Sequence, residues 1–180
     1  MIGRRAASHL SIPRRWLVRF WGYPSVNTRQ KWAAVWPHLQ TLPMSGVRLL
    51  DAGCAEGKWS MEIAARRPGW HVTGVDADEE FILSAQAAAA RLGLANLTFE
   101  HNDFLDYTPT PRYDIVLSVL SAHYLAEEGR GPELFSRFGA WLNPGGVLIL
   151  LGPRRNEEVP RLRLLPPPFQ ARGHFSRDEL

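Results

Sequence analysis

The 180-residue chain holds one cysteine, Cys54, and two lysines, Lys31 and Lys58. A lone thiol cannot close an internal disulfide, so a reducing compartment suits the chain and a cytoplasmic location is expected. No apolar run approaches the ~18 residues that a membrane-spanning helix needs. The first residues lack the apolar core and cleavage site of a secretory signal. The six histidines show no paired ligand spacing, so no metal site is expected. The Gly-x-Gly-x-x-Gly run on which a pyrophosphate rests in dinucleotide-binding domains is missing. Acidic residues are absent from the first 50 positions, which hold eight Arg and Lys, whereas the rest hold 13 basic and 18 acidic residues. The net charge of +3 therefore belongs to the N-terminal segment, and such asymmetry points to an anionic partner for it.

What the chain does hold is a glycine turn in a telling place. Leu49-Leu50-Asp51-Ala52-Gly53-Cys54-Ala55-Glu56-Gly57 runs from an apolar strand through an acid into two glycines, and an amphipathic segment, Lys58 to Arg67, follows. Strand, glycine turn and helix is how a parallel α/β domain cradles a nucleotide-like ligand at its strand ends. The helix start leaves free N–H groups facing the crevice. Asp51 would repel a pyrophosphate there and suits a ligand with an amino group. Cys54 reads as a small residue in a tight turn.

A second strand, His71 to Asp76, ends in an acid placed to accept ribose hydroxyls. A third, Leu97 to Phe104, ends in Asp103 and Phe104, a pair suited to an adenine: the carboxylate takes the exocyclic amine and the ring packs on the base. Tyr113 to Val119 is a buried strand by its apolar run. A helix end, the turn Asn143-Pro144-Gly145-Gly146 and a fifth strand, Val147 to Leu151, complete the series. Helices are expected near 57–67, 78–92 and 132–142. Asp78 is placed to cap the second, with Glu79 and Glu80 in its first turn and Gly93 at its end. Strands alternating with helices make an α/β parallel sheet with helices on both faces.

Over residues 46–153 this set resembles the class I S-adenosylmethionine (SAM)-dependent methyltransferases. The family's acid-x-Gly-x-Gly-x-Gly motif reads Asp51-x-Gly53-x-Ala55-x-Gly57, with alanine at the middle glycine. The resemblance implies a Rossmann-like fold with SAM as cofactor. It places Asp51, Gly53, Ala55 and Gly57 at the methionine end, Asp76 and Ala77 at the ribose, Asp103 and Phe104 at the adenine, and Ser118 beside the crevice. His123 is the candidate catalytic base, because an imidazole is neutral near physiological pH; packing beside the cofactor is its other reading. The acceptor is expected to be an oxygen or nitrogen of a small molecule, lipid or sugar-containing compound. The run Gly-Cys-Ala-x-Gly-x-Trp-Ser is also similar to that of some RNA ribose methyltransferases, although their catalytic lysine set is not matched. A non-catalytic SAM-binding or scaffold protein is the third reading.

Residues 1–45 are expected to form a helical cap, with helices near 13–21 and 28–39. Trp16, Leu17, Phe20 and Trp21 share one helical face, flanked by Arg14, Arg15 and Arg19. That face packs on the sheet or touches a membrane surface or anionic substrate, which would make the protein peripheral to a membrane. No nucleic-acid contact is expected. Residues 154–180 form a Pro- and Arg-rich tail, and the fold is expected to lack the family's last strands. Val147 to Leu151 would then be an open sheet edge, to be covered by the tail or by a second copy in a homodimer.

Overall fold

The computed structural model describes residues 18–23, 28–103, 106–122 and 129–153. In chain order these form β1 (Val18–Tyr23), α1 (Thr28–Leu39), β2 (Ser45–Ala52), α2 (Lys58–Arg66), β3 (Gly69–Asp76), α3 (Glu79–Leu92), β4 (Leu97–His101), β5 (Tyr113–Val119), α4 (Gly131–Trp141) and β6 (Leu142–Pro153). The strands make one six-stranded sheet in the order β1-β6-β5-β2-β3-β4, and every pairing is parallel.

The apolar runs of the central strands are used on both faces, as a sheet covered twice demands. Leu49, Ile115, Leu117 and Ile149 pack with Val35 and Leu39 of α1, Ile63 of α2, and Ile82 and Ala85 of α3. Leu50, Val116, Leu148 and Leu150 pack with Leu134, Phe138 and Trp141 of α4 on the other side. α3 has the expected ends. The Asp78 side chain accepts hydrogen bonds from the N–H groups of Glu80 and Phe81, and Gly93 closes the helix with a left-handed φ of 65°.

The N-terminal segment departs from expectation. The helix expected near 13–21 is, over its described part, the strand β1, while 13–17 lie outside the described residues. Val-Arg-Phe-Trp-Gly-Tyr is rich in β-branched and aromatic residues, which favour a pleated surface. The i, i+1, i+4, i+5 spacing suggested a helix, but here the strand preference prevails. β1 pairs with β6 in the register Val18↔Leu148 to Tyr23↔Pro153. Val147 to Leu151 is therefore not an open edge, and the premise for a homodimer through it falls.

α1 does pack as its spacing predicts. Val35 and Leu39 are fully buried, and Trp32 and Trp36 lie against the same core. The Trp32 ring meets that of Trp59 of α2 at 4.5 Å. The Arg66 guanidinium lies 4.8 Å from the Trp32 centroid and 5.0 Å from that of Trp36. The buried Arg67 donates to the carbonyl of Leu39 at 3.1 Å, placing a cation at the negative end of α1.

Candidate functional site

The chain runs outward from β2 to β3 and β4, then returns to β5 and β6 on the other side of β2. The switch in direction lies between β2 and β5, where parallel sheets open a crevice at their strand ends. The loop from Gly53 to Gly57 fills the start of that crevice. Its left-handed positions are Gly53 (φ 77°), Ala55 (φ 47°) and Gly57 (φ 72°). The N–H groups of Gly53 and Cys54 both donate to the Val75 carbonyl, at 2.8 and 3.0 Å. The Ala55 N–H donates to Asp76 Oδ2 at 2.8 Å, and the Asp78 N–H donates to Asp76 Oδ1 at 3.0 Å. Left-handed alanine costs about 1–2 kcal/mol, and the bond to the Asp76 carboxylate offsets it. Asp76 thus ties the glycine loop to the end of β3 and to the cap of α3.

Gly57 is a glycine for a reason the sequence reading assigned to the ligand. A Cβ there would lie 2.3 Å from the Phe99 ring and 3.1 Å from Ala85. Gly74 on β3 is constrained likewise, with the same ring 2.6 Å from its missing Cβ. Phe99, buried on β4, is the wedge against which the loop and β3 are fitted.

Beneath the loop lies Asp51, only 1% exposed. Ser60 Oγ donates to its Oδ2 at 2.6 Å. Burial pushes the Asp51 carboxyl up to about 6; the Ser60 hydroxyl opposes the rise and the nearby Asp76 adds to it. Cys54 is buried beside them, and its thiol is driven upward by desolvation and by the two carboxylates. It is held as a thiol rather than the reactive thiolate.

Across the switch point, Ser118 Oγ lies 2.7 Å from Ser121 Oγ, and Ser121 Oγ donates to the Ala52 carbonyl at 2.8 Å. The end of β5 is thereby fastened to the end of β2. Leu120 between them has a φ of 57°, and its N–H donates to the Leu151 carbonyl at 2.7 Å. Ala77 is exposed, and its carbonyl lies 3.0 Å from His101 Nε2. Asp103 is exposed just past β4, its carbonyl accepting from Asp106 and Tyr107. Phe104 and His123 lie outside the described residues. Among the described residues no group of three His, Cys, Asp or Glu could hold a metal, and no helix is long and apolar enough to cross a membrane. An open groove of about 440 Å³ lies elsewhere, over the polar faces of β3 and β4 at His71, Thr73, Thr98 and Glu100.

A family model described as a methyltransferase domain matches residues 49–146, more than half of the chain. The chain belongs to the class I SAM-dependent methyltransferases. It is 32% identical over 128 residues to a trans-aconitate 2-methyltransferase of Streptomyces avermitilis, a match covering 69% of this chain and 45% of that one. It is 27% identical over 139 residues to a tRNA (guanine-N(7)-)-methyltransferase of Synechocystis sp., covering 71% of this chain and 64% of that one. The chain thus spans between about half and two thirds of the length of these curated relatives. Among solved structures it is similar to a SAM-dependent methyltransferase from Geobacter sulfurreducens in complex with S-adenosyl-L-homocysteine (SAH). That likeness has a TM-score of 0.55 and 26% identity, over 68% of this chain and 47% of that one. In this methyltransferase core, Asp51, Gly53, Ala55, Gly57 and Asp76 converge on two adjacent strand ends, with Ser118 across the switch point. Ser60 and Phe99 are the contributors that motif reading passed over. Ser60 stands three residues past Gly57, in the first turn of α2, a spacing that puts a hydroxyl under the strand end.

Proposed function

We propose that this chain binds SAM and transfers its methyl group to an oxygen or nitrogen of a small-molecule, lipid or sugar-containing acceptor. The observation that carries the reading is the pair of carboxylates at the ends of β2 and β3, bridged by the glycine loop. No Lys, Arg or His among the described residues forms an ion pair with either. A buried carboxylate without a cation is costly, so the site suits a ligand that brings positive charge. SAM does so with the ammonium of its methionine end and its sulfonium, and its ribose offers hydroxyl donors. Asp76 already accepts two backbone bonds, and each carboxylate oxygen keeps a further lone-pair direction.

SAM supplies an electrophilic methyl carbon on sulfur, open to in-line displacement. The chain's own task is then to hold that methyl group in line with an acceptor and keep water out, which is catalysis by positioning. Asp51 and the loop would fix the methionine end, Asp76 and Ala77 the ribose, and Asp103 with Phe104 the adenine. Ser118 would line the crevice, and His123 would take the acceptor's proton. Relatives named for trans-aconitate and for ubiquinone biosynthesis support a small-molecule acceptor. The tRNA-methyltransferase relative supports RNA as a second reading; RNA binding that weakens steeply with salt would favour it.

Calorimetric titration of the chain with SAM and with NAD tests the reading: saturable SAM binding and no NAD binding are expected. A folded, monodisperse chain that ignores SAM would overturn it. Asp76→Ala should weaken SAM binding by about 1–3 kcal/mol, whereas unchanged affinity would remove Asp76 from the ribose.

A further inference from the structure

We propose that Ser60 is a positioning residue of the cofactor site: its hydroxyl holds the Asp51 carboxylate in place as the fixed anion beneath the glycine loop. The inference rests on the SAM-binding reading above and names how that site keeps its charge.

Three observations carry it. Ser60 is fully buried and Asp51 nearly so, so water does not orient this carboxylate, and the 2.6 Å bond from Ser60 is its short side-chain contact. Ser60 lies in the first turn of α2, whose N-cap is Gly57 and which has no capping side chain and no acidic residue of its own in that turn. Asp51 therefore supplies the negative charge favoured at a helix N-terminus, and Ser60 joins the two. Among the described residues, the surroundings of Asp51 hold no cation to do this work. Its partners in register are Leu117 on β5 and Gly74 on β3, both uncharged. The ionisable groups near it are Asp76, which disfavours its charge, and Cys54, which is held as a neutral thiol. Lys58 of α2 is turned away in an exposed pair with Glu56.

The geometry has a pH signature. A cationic ligand is drawn to Asp51 only when that group is ionised, so affinity should rise as pH climbs through the Asp51 midpoint and level off above it. Burial places the midpoint at about 6. Without the hydroxyl the carboxylate loses a hydrogen bond to its charged form, and the midpoint moves toward neutrality.

The test is SAH binding by the full chain, measured calorimetrically from pH 5 to pH 8.5 for the unsubstituted protein, Ser60→Ala and Ser60→Thr. Thermal melting is run alongside, and the Asp51 carboxyl is titrated by ¹³C NMR in the ligand-free chain. Ser60→Ala should bind about threefold more weakly at pH 6.5, recover most of that loss by pH 8.5, and show a higher Asp51 midpoint. Ser60→Thr, which keeps the hydroxyl, should restore both. An unmoved midpoint in Ser60→Ala, or a loss equal at every pH, would overturn the inference while leaving SAM binding intact. Absence of SAH binding by the unsubstituted chain would instead overturn the cofactor reading, and this inference with it.

Discussion

Asp51 stands at odds with the stability of the domain that holds it. Its carboxyl ionises near 6 in the folded chain against 3.8 as a free group. Between those values the folded state keeps a proton that the unfolded state has lost. Stability from this group is therefore full below about pH 4 and falls as pH rises through 6, by about 3 kcal/mol in all. Asp51→Asn, which keeps an acceptor for Ser60, should then raise the urea midpoint at pH 7.5 and change it little at pH 4. The same substitution should abolish SAM binding; a fold no more stable at pH 7.5 would show that burial does not penalise the carboxylate. Gly57 carries the opposite lesson, because its constraint comes from within. Gly57→Ala should cost about 2–4 kcal/mol, from left-handed backbone strain and overlap with Phe99, as read by thermal melting. Shortening the ring with Phe99→Leu should return part of it. The sequence made the glycines legible as a motif. It did not say that Phe99, some forty residues on, dictates one of them, because a wedge between β4 and the loop exists only after the sheet has formed.

The four helices and the inner strands were readable because local chemistry and packing agree there. Asp78 caps α3, Glu79 and Glu80 follow in its first turn, Gly93 ends it, and the alanine-rich face meets the sheet. In α1, Val35 and Leu39 face the core at the spacing the sequence shows. β1 was misread for the converse reason. Six residues are too few for periodicity to distinguish a helix from a strand, and what decides the matter is the open side of β6. The pairing can be tested directly. A chain lacking residues 1–23 should leave the outward hydrogen-bonding groups of β6, those that face β1, unpaired and show a larger mean mass by light scattering than the full chain. An unchanged mass, with unchanged melting, would mean that β1 adds nothing to the sheet.

Taken together, the sheet is a family core whose far edge is supplied from the front of the chain. The candidate site lies at the switch between β2 and β5, and the strands β5 and β6 separate β1 from it. The strands and helices from β2 to β6 were legible one by one, because local pattern marks each of them. The one strand that escaped, β1, pairs Val18 with Leu148, the longest sequence separation in the sheet. That separation has a consequence in time. During synthesis the first strand leaves the ribosome long before its partner exists, while β2, β3 and β4 can already associate. Val-Arg-Phe-Trp-Gly-Tyr must wait, unpaired and aromatic, until the last strand emerges. Docking of this strand is thus a late step in folding, set by the position of its partner in the chain.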